Sequence, residues 1–82
     1  MKGKLKNGFA YEIADDWADD MELIELYAKV QKDGMYFPEL LDKILGEDQK
    51  AALYDSLRDK KGKVHVQDVA DAIAEIFSQE KN

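Results

Sequence analysis

At 82 residues the chain reads as one domain, and folding would bury only about 60–65% of the surface that its unfolded form exposes, so the core must be small. With 45% hydrophobic and 37% charged residues, it resembles a globular protein rather than a disordered tail, and no apolar run suggests a secretory signal or membrane span. The net charge of −6 disfavours nucleic acid, the lack of cysteine excludes disulfides and thiolate zinc, and one histidine cannot build a histidine metal cluster.

The first segment, KLKNGFAYEI, carries Asn-Gly between two alternating runs, a strong hairpin signal. A two-residue loop at Asn7-Gly8 would put Lys2, Lys4 and Lys6 on the same face as Phe9, Tyr11 and Ile13. A three-residue loop, Lys6-Asn7-Gly8 with Gly8 left-handed, instead pairs Leu5 with Phe9, Gly3 with Tyr11 and Met1 with Ile13. That register collects the large apolar side chains on one face and leaves Lys2 outside, opposite Glu12, so it is the expected one. A lone hairpin is marginal in water and must lie on helices.

ADDWADD then opens a helix that Asp16 or Asp19 can cap, with Asp19 and Glu22 spaced as a capping box. The helical pattern runs to Lys32 and stops at Asp33-Gly34. Ala18, Glu22, Glu25, Lys29 and Lys32 form a narrow polar strip. Trp17, Met21, Leu23, Ile24, Leu26, Tyr27, Ala28 and Val30 fill most of the remaining circumference, so this helix is either central or has a second face for a partner. Met35, Tyr36 and Phe37 follow in a connection, either packed beneath the hairpin or presented as a patch.

Pro38 suits the start of a short helix ending at Gly46. EDQKAALYDSLRD reads as a further helix, with Ala52, Leu53, Tyr54 and Leu57 available for burial. The last helix spans about Val66 to Gln79, with Val66, Val69, Ala70, Ile73, Ile76 and Phe77 on one stripe, and a short polar tail follows. The expected architecture is an α+β fold, mainly α: an N-terminal β-hairpin over residues 1–13 packed on a compact bundle of about four helices over residues 16–80.

Between the last two helices lies RDKKGKVHVQD, which has the outline of a calcium loop. With Gly62 at the sixth position of such a loop, Leu57 falls at the first, Asp59 at the third, Lys61 at the fifth and Asp68 at the twelfth. Leu57 offers no oxygen and Lys61 brings a positive charge, so the stretch reads as a structural corner with Val64 and Val66 as anchors and His65 facing outward. No metal or cofactor is expected. Histidine is the side-chain type that titrates nearest neutral pH, yet no serine or cysteine nucleophile stands at a recognisable spacing from His65. Ser56 and Ser78 sit in ordinary helical contexts. The paired aspartates at 15–16 and 19–20 suit a helix start, and no phosphate-cradling glycine motif is present. The chain is therefore expected to be no enzyme. Binding is the remaining class, and Trp17, Leu23, Tyr27, Met35, Tyr36 and Phe37 are the candidate partner-binding residues.

Taken together, KLKNGFAYEI, DDMELIELYAKV and LLDKILGEDQKAALYDSLRDKKGKVHVQDVADAIAEIF resemble the small tail assembly chaperones of tailed phages and prophages of Gram-positive bacteria. The likeness covers nearly the whole chain in element order and contains no catalytic signature. It implies a helper, acting in the bacterial host cytoplasm, that binds the long helical tape-measure protein, keeps it soluble and helps recruit tail-tube subunits. No residue with a defined family role maps onto the chain. The competing reading is a cytosolic helical adaptor or regulatory protein-interaction module whose EF-hand-like corner holds no metal. Self-association is open under either reading.

Overall fold

The computed structural model describes residues 1–80; of the polar tail expected after Gln79, Glu80 is helical and the rest lies outside the described residues. Strands β1 (Lys2–Lys4) and β2 (Ala10–Glu12) pair antiparallel, with Lys2 opposite Glu12, Gly3 opposite Tyr11 and Lys4 opposite Ala10. The Leu5 amide donates to Phe9 O at 2.8 Å, and the chain turns at Gly8 with φ 94°. This is the three-residue loop read from the sequence. Leu5, Tyr11 and Ile13 are accordingly buried on one face, while Lys2 and Lys4 are exposed on the other.

Side chains from two helices tie the hairpin down. Gln49 accepts from Glu12 N through Oε1 and donates to Glu12 O through Nε2, both at 2.7 Å. Its amide thus copies the pairing of a neighbouring strand. On the β1 side Glu75 accepts from Lys6 N at 2.8 Å, and Gln79 Nε2 donates to Lys4 O at 3.0 Å. The Tyr11 hydroxyl donates to Gln79 Oε1 at 2.8 Å, and burial, reinforced by the Glu80 carboxylate, pushes its pKa up to about 12.

Helix α1 runs over Met21–Lys32 and is capped by Asp20, whose side chain accepts from Leu23 N at 3.2 Å. Neither Asp16 nor Asp19 caps it, because Trp17–Asp19 form a 3-10 turn that delays the helix start. Asp20 has the extended backbone that a cap requires (φ −107°, ψ 103°), and its carboxylate also meets Lys43 Nζ at 3.3 Å. Helix α1 buries Leu23, Leu26 and Val30.

A second 3-10 turn, Gly34–Tyr36, leads directly into α2, Phe37–Leu57. The bundle therefore has three helices among the described residues rather than about four, since the two segments expected on either side of Gly46 run together as one broken element. Gly46 adopts φ 80° and ψ 166°, a backbone region open essentially to glycine alone. A side chain at Gly46 would meet nothing within 4 Å, so conformation and not space demands glycine. The Leu45 carbonyl next to this break is met by Gln49 Nε2 at 2.8 Å.

Leu40, Leu41 and Leu53 from α2 are fully buried and meet Ile73, Ile76 and Phe77 from α3 (Val66–Glu80) in one core. Burying each such side chain stabilises the fold by about 1.5–3 kcal/mol. The expected α3 stripe holds at Val69, Ile73, Ile76 and Phe77, with Ala72 buried as well. It fails at Val66, which is 68% exposed and anchors nothing. A helical side chain leans over the turn before it, and the first residue of α3 has no such turn beneath it.

Candidate functional site

The six residues singled out for partner binding do not share one face. Leu23 is 3% exposed and belongs to the core, so it can touch no partner unless the fold opens. Trp17 and Tyr27 are half-buried against Phe77. The Tyr27 ring stacks on Phe77 with centroids 4.2 Å apart and 18° between planes, while Trp17 meets the same ring edge-on at 5.0 Å and 64°. With Ala74 and Ser78 these three rings leave a shallow hollow of about 230 Å³. Its aromatic surface is already spent on α1–α3 packing.

Met35, Tyr36 and Phe37 do not pack beneath the hairpin; their turn lies against α1 and α2. Asp33 sets that turn, accepting from Met35 N through Oδ1 at 3.0 Å and from Tyr36 N through its carbonyl at 3.2 Å. Tyr36 is half-buried under the Lys29 ammonium, 5.5 Å above its ring centroid. Met35 is 84% exposed, and Phe37 is half-buried.

Met35 and Phe37 form one wall of a second hollow, of about 320 Å³, completed by Gly34, Pro38, Tyr54, Val64, Val66 and Val69. Three separate stretches meet here: the start of α2, its last turns, and the corner leading into α3. Two large apolar side chains, Met35 and Val66, stand exposed at its border. Of the six candidates only Met35 and Phe37 belong to it. The sequence pattern places Pro38, Tyr54, Val66 and Val69 at a helix start or in the core. A proline-bearing first turn and a valine at the first position of a helix were the available signals, but the sequence does not bring them together.

The corner holding Val64 and Val66 is built around Asp59. Its Oδ1 accepts from Lys61 N at 2.8 Å and Lys63 N at 3.0 Å, and its Oδ2 lies 2.8 Å from His65 Nε2. Arg58 pairs with Val64 in an isolated antiparallel bridge and donates through Nη1 to Gly62 O at 3.0 Å. The Lys63 amide, then His65, then the Lys61 amide hold the Asp59 carboxyl below the usual carboxylate range. Both oxygens of Asp59, the carboxylate at the third loop position, thus serve the loop itself. Among the described residues, no group of three or more His, Cys, Asp or Glu could hold a metal ion. The outward position expected of His65 is observed, but one of its two flanking valines, Val66, is exposed rather than buried.

No family model, curated protein or solved structure matches the chain. Among the described residues, no helix is long and apolar enough to cross a membrane. The hollow beside Met35 and Val66 has mostly apolar walls and an exposed border.

Proposed function

We propose that the chain is a non-enzymatic tail assembly chaperone, acting in the bacterial host cytoplasm, that binds apolar helical stripes of a tape-measure protein and keeps it soluble until tail-tube subunits are recruited. One observation carries this reading: the hollow bordered by exposed Met35 and Val66. Methionine is a flexible, polarisable contact that adapts to varied apolar side chains, as a binder of a long repetitive helix requires. At about 320 Å³ the hollow suits anchoring side chains of a helix rather than the helix itself. Strand addition is the less suitable mode, because Gln49 already occupies the outer backbone groups of Glu12, and Gln79 takes Lys4 O.

The test is to co-express the chain with tape-measure fragments and measure the fraction that stays in solution. Fragments that aggregate to the same extent with and without the chain would overturn the reading. The gene lying between tail-tube and tape-measure genes would support it. The self-closed corner around Asp59 favours one competing reading, a helical adaptor that keeps an EF-hand-like shape without metal. That reading gains if the neighbouring genes are unrelated to phage morphogenesis and the chain captures a partner outside the tail.

A further inference from the structure

The hairpin turn that fixes the register also assembles the parts of a chemical step. Asn7 is exposed, and its Oδ1 accepts from Phe9 N at 2.9 Å, so the side chain arches back over the intervening Gly8 amide. Its Nδ2 donates to Ser56 Oγ at 3.3 Å, which fixes the plane of the side-chain amide from α2. Gly8 has no side chain to block approach to its nitrogen. We propose that Asn7-Gly8 is a self-modification site, at which the native chain converts Asn7 to aspartate and isoaspartate.

In this step the Gly8 nitrogen loses its proton to hydroxide and attacks Asn7 Cγ. A five-membered succinimide forms as the Cγ–Nδ2 bond breaks, and Nδ2 leaves as ammonia after taking a proton from water. Water then adds to either ring carbonyl, opening the ring to aspartate or to isoaspartate. Phe9 N–H points at Oδ1, where negative charge develops in the tetrahedral adduct. Ser56 is a positioning residue, holding the amide for attack. The Gly8 amide donates to Leu5 O at 2.9 Å, so one hydrogen bond at an exposed turn tip has to open first.

The product changes the fold locally. Isoaspartate adds a backbone methylene to a loop whose three-residue length sets the Leu5–Phe9 pairing, next to the Lys6 N bond to Glu75. The experiment is to age the full chain in mildly alkaline buffer and follow Asn7 by peptide mapping, beside a peptide of residues 4–11. The native chain is expected to convert at a measurable rate that rises with hydroxide concentration. Ser56→Ala is expected to slow it at unchanged melting temperature, and Ser56→Thr to restore it. A native chain that stays unmodified while the peptide converts would overturn the site. Equal rates in the wild type and Ser56→Ala would remove Ser56 from it.

Discussion

Two of the depressions among the described residues differ in what fills them. At the Trp17–Tyr27–Phe77 hollow, three rings from both ends of the chain satisfy one another by stacking and edge contacts. At the Met35–Val66 hollow, aliphatic side chains stand at the border with nothing from the described residues over them. The first feature has the residue types that interfaces favour, and its rings pack on one another. The second has fewer of those types and more free surface. In a small domain a few aromatics must also serve as core, so residue type alone does not separate the two hollows.

Breaking the scaffold side should give the largest effects. Leu23→Asp puts a charge at a site 3% exposed, so the expected outcome is loss of the folded state, at a cost above about 4 kcal/mol, read by circular dichroism. A folded variant would mean that α1 is not held as described. Phe77→Ala removes the ring shared by Trp17 and Tyr27, at a site 4% exposed. It should cost about 3–5 kcal/mol and lower Tm by about 15 °C or more. Partner binding should survive at temperatures where the variant remains folded, and binding lost there would move the interface to the aromatic side.

A smaller effect should come from the corner that forms one wall of the second hollow. The Asp59 carboxyl titrates below its ordinary value in the folded chain, so its contribution to stability is complete above the unfolded pKa of about 3.9. That contribution is lost as pH falls through the lower folded value. Asp59→Asn should therefore flatten the acid limb of a plot of Tm against pH below about 4. If wild type and variant lose stability in parallel over that range, the carboxylate is not what holds the turn.

The hairpin was legible because alternation has a period of two, and only one register keeps lysines off the face of Tyr11 and Ile13. The α1 cap was not, since Asp16, Asp19 and Asp20 carry the same side chain and only the 3-10 turn decides among them. Val66 falls on the α3 stripe yet is exposed, because helical spacing continues to a helix end even where the core does not. Gly46 was rightly seen as a break, yet the chain stays helical on both sides without a separating loop. The second hollow was illegible as a unit. Gly34 to Pro38, Tyr54 and Val64 to Val69 meet only through packing of α2 against α3.

The smallest effect on stability should come where the effect on function is largest. Met35 and Val66 are 84% and 68% exposed, so Met35→Asp and Val66→Asp should each change stability by no more than about 0.5 kcal/mol. Aspartate at the first residue of α3 also faces the positive end of the helix dipole, which favours it by about 0.3–1 kcal/mol and offsets the lost apolar contact. Either substitution places a carboxylate at the mouth of the hollow, where an incoming apolar anchor would strip its water. Binding of tape-measure fragments should therefore fall while the melt is unchanged. Met21→Asp is the matched control, because Met21 is 74% exposed but lies at the acidic start of α1, among Asp16, Asp19, Asp20 and Glu22. If Met21→Asp weakens binding and the other two do not, the partner sits on the α1 start and the hollow is only a gap between helices.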